Sequence, residues 1–192
     1  MEPRIDEPEL DERLATLETV RSWSPRLISK LESLIRTGDD RALFRINPLT
    51  FAAERNVDES EAVDLFLHAS SLGLFELDWL LVCPMCAGVV QSFGSLRTLE
   101  KHYRCNLCRI DYEAMLDDFI TVTFTVASKI RPVRFHDPDT LDAADYCFVY
   151  RVTPDGLTPD GQPWADFFKS ATRDVRFLPP HSVATVRVAH AE

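Results

Sequence analysis

Apolar residues recur at helical spacing through the first seventy positions and change to strict alternation near residue 120. Leu10, Leu14 and Leu17 lie on one face and predict a helix from Pro8 to about Arg21, with acidic side chains in its first turn. Ser24-Pro25 reads as an N-cap followed by a first helical proline. The helix it predicts carries Leu27, Ile28, Leu31, Leu34 and Ile35 and ends at Gly38. Leu43 to Ile46 is a short extended run, and Pro48 to about Arg55 is a short helix. Asp58 and Glu61 have capping-box spacing and open a helix carrying Ala62, Val63, Leu65, Phe66, Ala69 and Leu72, closed by Gly73. Leu74 to Val82 is strand-like. Helix, short strand, helix, turn, helix, strand is the order of a winged helix.

In the C-terminal part, Ile120, Val122, Phe124 and Val126 alternate with threonines. Further strands are predicted at Asp145–Val152, Asp174–Leu178 and Ser182–Ala189, separated by Pro-Asp-Gly turn signals. The expected class is α+β: N-terminal helices (1–40), a winged-helix-like segment (41–82), a zinc ribbon (83–112) and a C-terminal antiparallel β-sheet or partial sandwich (113–192). So few strands leave an edge that the chain's own helices or a partner must cover, and a two-fold homodimer is one expected outcome.

The ribbon is predicted from Cys83-Pro-Met-Cys86 and Cys105-Asn-Leu-Cys108, two CxxC knuckles separated by eighteen residues. Such a pair supplies a tetrahedral sulfur shell for one structural Zn2+, and the spacer suits two antiparallel strands. Gly88 is expected to give the first knuckle its backbone freedom. Four thiolates leave no open position for substrate, so the metal is read as structural. His102 is an unneeded alternative ligand. The same knuckles suit rubredoxin-type iron, and an iron redox protein stays open as a reading. Cys147 reads as a small buried hydrophobe.

Charge changes the picture of partners. Residues 1–82 carry nine basic and seventeen acidic side chains, whereas residues 83–110 carry four basic and one acidic; the whole chain is at −10. Residues 44–80 hold two basic and seven acidic side chains, with Asp58, Glu59 and Glu61 at the start of the would-be recognition helix. That excludes a conventional DNA-reading face, since affinity for nucleic acid is mostly phosphate neutralisation. Arg97, Lys101, Arg104 and Arg109 give the ribbon a small basic patch. The absence of a long apolar run and the acidic N-terminus predict a cytoplasmic chain without membrane span or signal peptide.

No P-loop, GxGxxG, GxSxG or HExxH is present. Asp117-Asp118 and Asp137/Asp139 read as solvated pairs or caps, and Asp111 and Glu113 as neutralising Arg109 or capping a turn. His136 or His181 beside Asp137 would be a small polar site at most. The expectation is no enzyme.

Phe44-Arg-Ile-Asn-Pro-Leu-Thr50, Asp64-Leu-Phe-Leu-His-Ala69, Gly73-Leu-Phe-Glu-Leu-Asp-Trp79, the two knuckles, Ile110-Asp-Tyr112 and Val122-Thr-Phe124 carry a family likeness. Over about residues 40 to 190 the chain resembles a bacterial domain of unknown function found N-terminal to class III adenylate/guanylate cyclase catalytic domains. The resemblance implies a regulatory or sensory accessory region with zinc on Cys83, Cys86, Cys105 and Cys108, and a protein partner. No cyclase segment occurs before Glu192, so the chain reads as a free-standing relative or a fragment, and cyclase activity is not implied. The alternative is a transcription-associated winged-helix/zinc-ribbon protein.

Overall fold

The computed structural model describes residues 5–114, 119–152, 160–162 and 164–185. Its architecture is α+β, with six helices and two small antiparallel sheets among the described residues.

Helix α1 spans Glu7–Val20, capped by the Asp6 carboxylate, and α2 spans Leu27–Thr37. Ser24 does not cap α2. Ser24-Pro25 forms a turn instead, with Leu27 N–H bonded to the Ser24 carbonyl, and Arg26 precedes the helix in left-handed conformation (φ 67°). α3 (Pro48–Arg55) and α4 (Glu59–Ser71) follow, each with a side-chain cap, Asn47 and Asp58. Only half of the expected capping box forms at α4. Asp58 accepts the Glu61 N–H, but the Glu61 carboxylate turns away to accept the Ser24 N–H at 2.6 Å and ties α4 to the α1–α2 turn.

Strand β1 (Phe75–Val82) is central in a three-stranded antiparallel sheet, between β2 (Val89–Phe93) and β5 (Ile120–Val126). β3 (His102–Arg104) and β4 (Asp111–Glu113) form a separate hairpin. The two strands of the cysteine spacer therefore do not pair with each other. β2 pairs back with β1 and β3 pairs forward with β4. The free side of β5 is partly closed by residues 43–46, through reciprocal Ile46–Phe124 backbone bonds and Val126 N–H to the Leu43 carbonyl.

Asp145–Val152 is not a strand. Residues Ala143–Tyr150 form helix α5, capped by the Asp142 carboxylate on the Asp145 N–H. Cys147 is accordingly on a helix and half-buried. Helix α6 is Trp164–Ala171. Asp174–Leu178 and residues 182–185 lie outside any ladder, and the rest of the strand expected at Ser182–Ala189 falls outside the described residues.

One apolar core joins α1 to α5 and the three-stranded sheet, and a smaller cluster of Leu81, Phe93 and Tyr103 packs the β3–β4 hairpin. The main core holds Leu10, Leu14 and Leu17 of α1, Leu27, Leu31, Leu34 and Ile35 of α2, the inner faces of α3 and α4, and Phe75, Phe124 and Val126 of the sheet. The leucine stripes of α1 and α2 are thus packed within their own chain. Phe66 is the centre, with ring centroids 5.2 Å from each of Phe51, Phe75 and Phe124. Such edge and tilted pairs add attraction beyond area burial.

Helix ends are closed by cations from distant parts of the chain. Arg131 donates to the Ile35 and Gly38 carbonyls at the end of α2, Lys30 to Arg55 and Asn56 after α3, and Arg13 to Leu72 after α4. Arg45 donates to Val149 and Tyr150, and Arg41 to Phe148, at the end of α5. A helix C-terminus has unsatisfied carbonyls and partial negative charge, so a guanidinium there answers both. Arg36 ties α1 to α2 by pairing with Glu7, Asp11 and Glu32.

Candidate metal centre

Each CxxC knuckle forms the tip of an antiparallel hairpin: Cys83–Cys86 between β1 and β2, Cys105–Cys108 between β3 and β4. The two tips are congruent in detail. Cys83 N–H bonds to the Gly88 carbonyl and Cys105 N–H to the Ile110 carbonyl, both at 2.9 Å. Ala87 N–H returns to Cys83 and Arg109 N–H to Cys105, again at 2.9 Å. The residue after the second cysteine is left-handed in both, Ala87 at φ 52° and Arg109 at φ 61°. Gly88 therefore does not supply the left-handed position. It is small for another reason: a Cβ there would stand 2.5 Å from Leu107 Cδ1 and 3.3 Å from Cys86 Sγ.

The four sulfurs converge to within 4.8 Å of one another. Cys83 and Cys108 are 3.5 Å apart and Cys86 and Cys105 are 3.7 Å apart, across the two knuckles. A disulfide needs about 2.05 Å, which these contacts exceed. A tetrahedron with metal–sulfur bonds of about 2.3 Å has edges of about 3.8 Å, which they match. The arrangement can hold a metal ion.

Electrostatics favour a cation at the centre. Burial pushes the Cys83 and Cys86 thiols above their ordinary values. Burial acts against ionisation of Cys105 as well, yet the backbone N–H groups of Cys108 and Leu107 draw that thiol down. Cys83 receives the equivalent pair of N–H groups, from Cys86 and Met85. Amides aimed at sulfur stabilise thiolate, while a buried set of thiolates lacks countercharge until a metal supplies it. Tyr112 packs against the cluster. Its hydroxyl is buried without a hydrogen-bond partner among the described residues, and burial followed by the nearby sulfurs pushes its ionisation up.

The remaining sequence candidates do not join this centre. His102 is exposed and faces Glu113 at 3.9 Å. Asp111 pairs with Arg104 and Glu113 with Lys101, not with Arg109. His136 engages both ring nitrogens with backbone, Nδ1 accepting from Val133 N–H and Nε2 facing the Val126 carbonyl, so it builds no site with Asp137. Asp137, Asp139 and His181 are exposed, and Asp117-Asp118 lies outside the described residues.

Two positions that sequence reasoning passed over touch the first knuckle. Val89 N–H donates to the Arg151 carbonyl at 2.9 Å, and Gly88 pairs with Val152 in an antiparallel bridge. The contact spans over sixty residues and has no local signature.

The model of a family of unknown function, DUF5939, matches residues 9–190. No curated protein and no solved structure matches the chain. Among the described residues no helix is long and apolar enough to cross a membrane.

Proposed function

The chain belongs to the DUF5939 family, whose function is unknown, and we propose that it is a non-enzymatic regulatory or protein-interaction module built around one structural zinc ion. The observation that carries this is the set of four cysteine sulfurs within 4.8 Å of one another, two of whose cross-knuckle distances match tetrahedral edges. Four protein ligands leave the ion no free position, so it stabilises a shape and activates nothing. The resemblance to the accessory region of bacterial nucleotide cyclases supports a regulatory role. Exposed Leu49 on α3 and Leu67 on the acidic α4, and Met85, Leu107 and Ile110 at the knuckles, support a protein partner, and light scattering over a concentration series reads whether that partner is a second copy. The acidic first turn of α4 supports the absence of specific DNA binding.

Metal analysis of protein purified without added metal tests this reading. One zinc per chain and a colourless solution are expected. Red, iron-loaded protein supports the redox alternative instead, and protein that purifies with no metal and with both knuckles still ordered overturns the reading.

A further inference from the structure

We propose that the metal centre is a clasp that holds helix α5, and with it the C-terminal segment, onto the body of the molecule. This rests on the reading of the four cysteines as a metal site.

α5 meets the body through a few contacts: Tyr146 and Tyr150 pack half-buried on the core, the Tyr150 hydroxyl donates to the Phe135 carbonyl, and Asp145 pairs with Arg134. The helix is eight residues long, below the length at which an isolated helix persists in water, and Val149 is its one buried side chain. Its C-terminal end is also gripped from two sides. On one side, Arg45 and Arg41 donate to the carbonyls of residues 148–150, and the Arg45 guanidinium lies 5.1 Å over the Tyr150 ring. On the other side, Arg151 and Val152 are stitched to Val89 and Gly88, the residues that close the first knuckle. Gly88 sits where a single added carbon would meet Cys86 Sγ, Leu107 of the second knuckle and the Arg151 carbonyl. Both knuckles and the end of α5 therefore meet at one residue.

The first knuckle keeps this shape only while its two sulfurs and the two opposite are drawn to a common centre. Without the metal, the four converging sulfurs have no common partner, and the hairpin tips separate. The strand-like seam at 88–89 and 151–152 then loses one of its sides. The segment beyond rides on α5: Phe177 packs edge-on against Tyr146 at 5.8 Å, and Lys169 lies 6.0 Å over the Phe148 ring. Metal occupancy is thereby converted into docking or release of residues 143–152 and 164–178, a change a partner can read. The core around Phe66 shares no residue with the knuckles and takes only Val149 from α5 as a buried member, so it stays folded.

Hydrogen exchange by mass spectrometry tests the clasp on the full chain, metal-loaded and after chelation under reducing conditions, with metal content measured in each sample. Removing the metal is expected to speed exchange in peptides covering 143–152 by about tenfold or more, with α6 following and α4 unchanged. Val89→Pro, which deletes the donor to Arg151 while leaving all four sulfurs, is expected to release the same peptides with the metal retained. Unchanged exchange at 143–152 after metal loss overturns the clasp, as does loss of protection throughout α4, which would make the metal a global staple. A chain that never holds metal instead defeats the underlying metal reading, and the metal measurement separates that outcome from the others.

Discussion

Arg131 Nη2 donates to the carbonyl oxygen of Gly38 at 2.7 Å, ninety-three residues away in the chain, while Nη1 takes the Ile35 carbonyl. Arg131 is 3% exposed. Its charge is held in the interior by the negative end of α2. Arg131→Met keeps the volume and strands two carbonyls, so a loss of about 2–4 kcal/mol is expected in urea unfolding. A loss below about 0.5 kcal/mol would show that the carbonyls find water instead.

Phe66 touches three aromatic rings and is fully buried. Phe66→Ala should cost about 3–5 kcal/mol, while Phe66→Leu, which fills more of the space, should cost less. Equal costs for the two would mean that the site collapses around the cavity.

Ala87 and Arg109 bear side chains in a left-handed backbone that glycine adopts without penalty. Ala87→Gly and Arg109→Gly should each stabilise the knuckles by about 1 kcal/mol, read as greater resistance to a competing chelator. Faster metal loss in both variants would show that the side chains contribute contacts outweighing the strain.

Asp78 gives a pH dependence with a definite sign. Burial raises its ionisation above the ordinary value of 3.8, against the pull of Arg45. The folded chain therefore holds a proton that the unfolded chain has released, and this group's contribution falls as pH rises through the interval above 3.8. Asp78→Asn should be more stable than the parent at pH 7, with the gap closing toward pH 4 in paired denaturation curves. A gap that widens on acidification would assign Asp78 the opposite role, as a net partner of Arg45.

Local chemistry made α1 to α4 and the cysteine cluster legible. Leucine spacing, the Asn47 and Asp58 caps and the CxxC turns each act over fewer than ten residues. α5 was misread because Tyr146, Phe148, Val149 and Tyr150 have strand propensity. The Asp142–Asp145 cap was the available signal. Helix prevails there because Arg41 and Arg45, over a hundred residues earlier, satisfy its carbonyls. The threonine face of β5 was also deceptive: Thr123 and Thr125 are buried at 2% and 5%, although alternation marks that face as the wet one. Arg45 N–H bonds the Thr125 hydroxyl and Thr123 reaches the Asp78 carbonyl, partners that no local pattern announces.

The cations at the helix ends sort the molecule's charges into two populations with different exposure to electrolyte. The chain's net charge is −10 even with its buried arginines counted, so the remaining charges repel on balance through water, whereas Arg45 and Arg131 act where mobile ions do not reach. Dissolved salt at about 0.1 M screens over about 10 Å and quiets that repulsion while leaving the buried attractions nearly intact. Ionic strength is thus a selective solvent variable for this chain: it weakens the acidic repulsion and the exposed pairs of Arg36 with Glu7 and Asp11 alike, and it leaves the contacts of Arg45 and Arg131 as the attractions that persist in saline media.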